Sequence, residues 1–416
     1  MTPSPTDTPE PTELLPMEAI PSLTPQPISL LNPSFEDGDL TGWTTNNEEA
    51  NLIEDRGHDS DFRLTHQDAE PYQVETTQTI TGLANGWYTL RAWARSSGGQ
   101  NDVYVALQCG EIEKRAYVSS TSPGYRWLNV VASNEITAGT CTIRLVSDAN
   151  AGNWASFDGI ELFNDQTTLT ILGADISSLK KSEDFGGVYR ETDGAPGDAL
   201  QILKDHGLNY ARLRVWLDPA DRYHNKEKLL EMALRLKEKE IQLLVDFHYS
   251  DNWADPGKQI KPAAWANLDF EGLNQAVYDH TFDVCNSLVE QGTPPDMVQV
   301  GNEINAGMLW PDGRYDQMNN LAELLKAGSQ AVKDCSPSTL VMMHIAEGGD
   351  NELAKWWFDN ITGRDVQFDV IGISYYPFWH GTLAELQFNL NDITERYDKD
   401  VIVVETAYAF TDQNND

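Results

Sequence analysis

No stretch of this 416-residue chain stays apolar over the roughly 20 residues that a membrane-crossing helix needs. None of its four cysteines stands in a Cys-x-x-Cys pair. The first absence removes a helical membrane span and the second a zinc ribbon or finger. Positive charge is scarce: 29 Lys and Arg face 65 Asp and Glu, a formal net charge of −36. Nucleic acid and anionic membranes would be repelled by such a surface, so neither is an expected partner. Residues 1–27 have neither the basic start nor the apolar run of a signal peptide.

What is present points elsewhere. The chain has room for two or three domains and ample length to bury a core. Its 12 Trp and 15 Tyr suit sugar binding as well as core packing. Residues 1–27 carry eight prolines among Thr, Ser and acidic residues, the composition of an extended linker. A linker in first place implies a chain cut from a longer, secreted protein, expected to be monomeric.

Residues 28–165 alternate apolar and polar positions in short runs, among them Tyr88–Ala94, Val103–Leu107, Trp127–Ala132 and Thr142–Val146. Turn pairs such as Asn85-Gly86 and Gly98-Gly99 separate them, and no helical period appears. An antiparallel β-sandwich is expected. Cys109 and Cys141 fall in two of its strands, where a cross-strand disulfide is possible; Cys285 and Cys335 fall on consecutive predicted helices further on. Such an even split suits an oxidising compartment, with buried free thiols as the alternative.

From residue 166 to 416 the pattern becomes strand then helix, repeatedly. Strands are predicted at Leu169–Ile176, Tyr210–Leu217, Gln242–His248, Met297–Glu303, Leu340–His344, Val370–Tyr376 and Val401–Glu405. Seven β/α units imply a (β/α)8 TIM barrel that stops short of its eighth unit. The expected architecture is therefore multidomain, an all-β sandwich followed by this barrel.

Catalytic groups in such barrels sit at the carboxyl ends of strands. Two apolar strands here end in glutamate, Glu303 and Glu405, the fourth and the seventh. A single glutamate there reads equally well as a salt-bridged strand end. Two of them, three units apart in one barrel, match the paired carboxylates of glycoside hydrolysis, one protonated as acid and one ionised as nucleophile. Alternation turns Arg212, Arg214 and Trp216 inward on the second strand, and Asp246 and His248 on the third. A buried arginine there can hold a carboxylate ionised. His248 also fits a satisfied core histidine, and Asn302 stands beside Glu303 to orient a sugar hydroxyl.

Several segments carry a resemblance. Gly173-Ala-Asp-Ile-Ser-Ser178, Arg212-Leu-Arg-Val-Trp216, the run from Asp246 to Lys258, Val300-Gly-Asn-Glu-Ile-Asn305 and Val404-Glu-Thr-Ala-Tyr408 resemble glycoside hydrolase family 53, the endo-β-1,4-galactanases. The resemblance implies Glu303 as acid/base and Glu405 as nucleophile, with Arg214, His248 and Asn302 beside them and Trp253, Trp310 and Trp379 stacking on galactosyl rings. It implies β-1,4-galactan as substrate and no cofactor for catalysis. It also implies a calcium site after the seventh strand, where Asp412, Asn414 and Asp416 alternate and Phe410 replaces the usual Trp. Asn32–Gly38, Gly42-Trp43 and Phe157–Leu162 resemble carbohydrate-binding jelly-roll modules of the galactose-binding-like superfamily. There Glu36 and Asp158 match structural-calcium positions, and Trp43, Trp93, Trp127 and Trp154 are candidate platforms.

Overall fold

The computed structural model describes residues 26–121, 124–164 and 171–407. The Pro-rich stretch through residue 25 lies outside them, as do Asp412, Asn414, Asp416 and Phe410. A first strand, Gln26–Ile28, pairs with Trp154–Asn164, so the last two residues of the segment read as linker belong to a sheet.

The amino-terminal region is all-β, as its alternating pattern predicts. One antiparallel sheet runs Asn51–Asp55, Phe62–Gln67, Trp154–Asn164, Gly86–Ser96 and Leu128–Ile136. The other runs Thr44–Thr45, Tyr72–Thr81, Thr140–Ala149, Gln100–Cys109 and Ile112–Tyr117. Leu64, Leu90 and Phe157 of the first sheet share one core with Val105, Leu107, Ile143 and Leu145 of the second. Alternation delivers this directly, because every second side chain of a strand faces the opposing sheet. Cys109 and Cys141 are disulfide-bonded on neighbouring strands.

The second region is a nearly closed parallel barrel. Its strands are β1 (Gly173–Asp175), β2 (Tyr210–Val215), β3 (Gln242–Phe247), β4 (Met297–Val300), β5 (Leu340–Ile345), β6 (Val370–Ser374) and β7 (Asp400–Glu405). They pair in chain order, with β1 and β7 as edges. Its main helices are α1 (Leu179–Asp184), α2 (Ala199–Asp205), α3 (Lys226–Glu238), α4 (Phe270–Glu290), α5 (Met318–Cys335), α6 (Asn351–Thr362) and α7 (Leu383–Tyr397). Side-chain caps fix several helix starts: Asn225 for α3, Asp269 for α4, Asp350 for α6 and a Thr382–Glu385 capping box for α7. The Cys285–Cys335 disulfide ties α4 to α5.

Two buried layers sandwich the barrel wall. Val245, Phe247, Val298, Val300, Met343 and Ile373 face the helices, against Leu273, Leu325 and Trp357. Tyr210, Leu244, Met297, Met342 and Val370 point the other way and fill the barrel. On the same inward face, two residues further along these strands, stand Arg212, Asp246, Gln299 and His344, nearer the carboxyl ends, and there the site forms.

Strands β1 to β4 and β6 are shorter at those ends than predicted, β5 runs one residue further, to Ile345, and β7 ends at Glu405 as predicted. Strand β4 ends at Val300, not Glu303, because Gly301 turns the chain at φ 91°. Strand β3 ends at Phe247 and β2 at Val215. After β2, the Trp216 and Leu217 amides donate to the His224 and Ser250 carbonyls in loops.

Candidate active site

Beyond β4 the backbone leaves the strand through Gly301 and reaches Glu303, itself left-handed at φ 47° and ψ 53°. A non-glycine residue pays about 1–2 kcal/mol for that region, so surrounding contacts must hold it. They are present. The Glu303 amide donates to His344 Nδ1 at 3.3 Å, and Gln259 Nε2 donates to the Asn302 carbonyl at 2.9 Å. Trp357 Nε1 donates to the Ile304 carbonyl at 3.0 Å.

Below this turn lies a buried polar network centred on Arg212. Its guanidinium meets Asp246 at 2.8 Å, Glu405 at 2.9 Å and Asp175 at 3.1 Å, and donates to Asn302 Oδ1 at 2.7 Å. Burial alone disfavours the guanidinium charge, but Asp246, Glu405 and Asp175 outweigh it and hold Arg212 protonated. Gln299, facing inward on β4, donates to Asp246 at 2.6 Å and accepts from Arg212 at 3.2 Å. The arginine joins the first, third, fourth and seventh strands into one electrostatic unit.

The two glutamates differ in environment. Burial first, and the Glu405 charge second, push the Glu303 carboxyl from 4.5 up to about 7; Ser374 and Arg212 oppose this without cancelling it. Glu303 is therefore largely protonated at mildly acidic pH. Glu405 instead faces Arg212 and accepts from the Tyr376 hydroxyl at 3.0 Å, two partners suited to an anion. A third group completes the arrangement. His344 is held neutral by burial and by the Arg212 charge. Its Nδ1 faces the Glu303 amide, so its proton sits on Nε2 and donates to Ser374 Oγ at 2.8 Å. That frees the Ser374 hydroxyl to donate to Glu303.

A cleft of about 600 Å³ opens over the network, lined by Asp175, Arg214, Trp253, Tyr376 and Glu405. Arg214 stacks on Trp253 at 4.0 Å and donates to Ser178 Oγ at 3.0 Å. Of the two inward arginines, Arg212 grips Glu405 and Arg214 lines the wall. Trp253 is half-exposed beside it, presenting an indole to the cleft.

His248 sits as the satisfied core histidine that the sequence also allowed. Its side chain has no exposure, Nε2 donates to Asp246 at 3.0 Å and Nδ1 accepts from the Ala254 amide at 3.0 Å. With both nitrogens committed it cannot touch a sugar; it holds the loop that carries Trp253. Asn302 is buried as well, its Oδ1 facing Arg212 and His344 and its Nδ2 donating to Ala254 at 2.8 Å. One Nδ2–H is left for a ligand. Trp310 donates its indole N–H to Ala306 in the loop after β4, and Trp379 is exposed in the loop after β6. The three tryptophans thus occupy three different loops, with Trp253 and Glu405 sharing the cleft.

Gln299, His344, Ser374 and Tyr376 are the contacting residues that the sequence reading did not place in the site, whereas Arg212 was expected to face inward with Arg214. Each was marked by one signal, a polar side chain within an apolar barrel strand or at its carboxyl end.

On the sandwich, Trp43 packs in the core against Phe35. Trp93, Trp127 and Trp154 are partly exposed, with His58 stacked on Trp93 and Arg95 over Trp127. Asp158 is buried and accepts from the His58 and Gly159 amides and from Ser60 Oγ; Glu36 accepts from the Asp61 and Phe62 amides. Both carboxylates thereby clamp the 56–62 loop. Among the described residues no three His, Cys, Asp or Glu side chains are grouped to share a metal ion.

Comparison with known proteins agrees with this geometry. The family model described as Glycosyl hydrolase family 53 matches residues 171–416. The arabinogalactan endo-β-1,4-galactanase A of Emericella nidulans is 40% identical over 248 residues, covering 58% of this chain and 71% of that protein. An uncharacterised protein of Niallia circulans is 46% identical over 249 residues, 58% of this chain and 68% of its own length. Among solved structures, the family 53 catalytic domain of Ignisphaera aggregans is 42% identical with a TM-score of 0.57, covering 59% of this chain and 70% of that one. A fungal β-1,4-galactanase structure is 35% identical with a TM-score of 0.56, covering 58% and 75%. The chain belongs to glycosyl hydrolase family 53, and its barrel is that of a glycoside hydrolase.

Proposed function

We propose that this protein is a secreted, monomeric endo-β-1,4-galactanase that cleaves the galactan chains of type I arabinogalactan with retention of configuration. The observation that carries the reading is the contrast between the two glutamates. Glu303 has its carboxyl pushed up to about 7 by burial and a neighbouring charge, while Glu405 is gripped by Arg212 and Tyr376. A retaining glycosidase needs that division: one carboxylic acid to protonate the leaving oxygen and one carboxylate to attack the anomeric carbon.

Glu405 attacks as Glu303 delivers its proton to the glycosidic oxygen, giving a galactosyl–enzyme ester and releasing the distal chain. Glu303, now ionised, takes a proton from water as that water displaces Glu405. General acid–base assistance of this kind contributes about 10²–10⁴ in rate. Asn302 orients the 2-hydroxyl through its remaining N–H, and Trp253 and Arg214 form one wall, with Trp310 and Trp379 as stacking surfaces further out. The substrate follows from the family and from the galactanases among its relatives.

Residues 1–27 are proposed as a linker, 28–165 as a carbohydrate-binding jelly roll and 166–416 as the catalytic domain. The chemistry uses no cofactor. A structural calcium rests only on the resemblance, at Asp412, Asn414 and Asp416 or at Glu36 and Asp158. Two disulfides and the acidic composition support secretion.

Reducing ends released from linear β-1,4-galactan, β-1,4-mannan and β-1,4-xylan test the reading. Galactan should be cleaved and the others left, with Glu405→Ala inactive on all three. Equal rates on mannan or xylan would assign a different glycan, and substantial activity in Glu405→Ala would remove the nucleophile assignment.

A further inference from the structure

The sandwich and the barrel touch beside the catalytic face. The Arg126 guanidinium lies 4.1 Å over the Phe388 ring of α7, and Gln387 donates to the Asn129 carbonyl. Next to these contacts is a cleft of about 490 Å³, within the range of roughly 300–1,000 Å³ typical of ligand sites. Thr121, Gly124 and Arg126 form its sandwich wall, and Glu347, Trp379 and Glu385 belong to its barrel wall. The barrel residues come from the loops after β5 and β6 and from the start of α7. Those loops are pressed together: a Cβ at Gly349 would lie 2.1 Å from the His380 carbonyl.

A chain of side-chain contacts leads from the catalytic centre to this cleft. Glu405 accepts from Tyr376 at 3.0 Å, the Tyr376 ring is 6.0 Å from Trp379, and Trp379 lines the inter-domain cleft with an exposed indole. The lining suits a neutral polyhydroxyl chain, with an indole for a sugar face, carboxylates to accept from hydroxyls and a guanidinium to donate to them. Glu347 is exposed, and only one Glu385 oxygen is taken up by the Thr382 cap. A polyanion would meet these carboxylates unfavourably.

We propose that the cleft between the sandwich and the barrel is an additional glycan subsite, so that a long substrate leaving the catalytic centre past Tyr376 and Trp379 is held by Arg126 of the sandwich. The inference rests on the galactanase reading. It makes the sandwich part of the substrate path as well as an appendage.

The test compares kcat/KM on polymeric β-1,4-galactan with that on a short galactooligosaccharide spanning only the positions around Glu303 and Glu405. Two variants of the full chain are used. Arg126→Ala removes the donor, and Gly124→Trp fills the cleft from a position whose Cβ meets only the Arg126 side chain, at 3.6 Å. In both, the polymer-to-oligomer ratio should fall about tenfold, equivalent to about 1.4 kcal/mol of binding at the subsite. An unchanged ratio in both variants overturns the subsite, and so does a loss confined to Arg126→Ala, which would mark a domain-docking contact. If the unaltered protein cleaves neither galactan substrate but cleaves another glycan, the galactanase reading is what fails.

Discussion

Protonation of a single carboxyl, Glu303, sets both activity and stability against pH. Its pKa is raised in the folded state, to about 7 from 4.5. The acid form is needed for leaving-group departure, so kcat/KM should fall as pH rises through about 7. The stability effect has the same sign. Between 4.5 and about 7 the folded state binds the proton that the unfolded state has lost, so folding is progressively weakened as pH rises. The full displacement corresponds to roughly 3 kcal/mol. Glu303→Gln should therefore be markedly less active at every pH, yet gain thermal stability over the parent at pH 8 and little at pH 4. Calorimetry at the two values checks this; an equal gain at both would show that Glu303 is not the perturbed group.

Arg212 is a residue that alternation turns inward but cannot rank against its neighbour. Arg212 and Arg214 share a strand face, and period-two reasoning cannot separate them. Their side-chain contacts do, joining Arg212 to Asp246 and Glu405 and Arg214, two residues further along the strand, to Trp253. Arg212→Met should destabilise the fold by about 3–5 kcal/mol, because it strands buried carboxylates. Arg214→Met should cost less stability and act mainly on KM. Chemical denaturation beside steady-state kinetics distinguishes the two variants, and equal stability losses would contradict this division.

At the scale of elements, the barrel strands and helices were legible because apolar runs and side-chain caps are local signals. Helices α4 and α7 begin one residue after Asp269 and Thr382, whose side chains cap their first turns. Strand ends were less legible, since hydrophobicity continues where hydrogen bonding stops. The turn after β4 shows why: Gly301 is left-handed, and a Cβ there would stand 2.7 Å from the Ile304 side chain. Gly301→Ala should cost more than the 1 kcal/mol scale of an unstrained glycine change. It should also depress kcat at least tenfold by moving Glu303, a shift of the order that small misplacements produce. A variant with parental kcat would mean that the turn does not position the acid. His344 and Ser374 were hidden for a related reason: their role depends on which strand ends meet across the barrel, and no spacing within one strand encodes that.

For the whole molecule, the division into an all-β region and a β/α region followed from the change of period near residue 166, and the all-β and parallel-barrel patterns stand on either side of it. The sequence did not reveal that the two regions meet at α7, because the contact uses ordinary surface residues such as Arg126 and Phe388. The disulfides add a global constraint. Cys285–Cys335 closes a separation of 50 residues, for which chain entropy gives about 4 kcal/mol. Replacing both cysteines by Ser should lower barrel stability by about 2–4 kcal/mol while leaving sandwich unfolding unchanged, as followed by calorimetry. A shift in the sandwich transition alone would contradict it.

The most direct measurement is the anomeric configuration of the first product. Proton NMR during hydrolysis of linear β-1,4-galactan should show the β-anomer appearing first, with the α-anomer growing only by mutarotation, because Glu405 forms an ester that water displaces by a second inversion, from the face opposite Glu405. First appearance of the α-anomer would mean direct attack by water, and Glu405 could not then be the nucleophile.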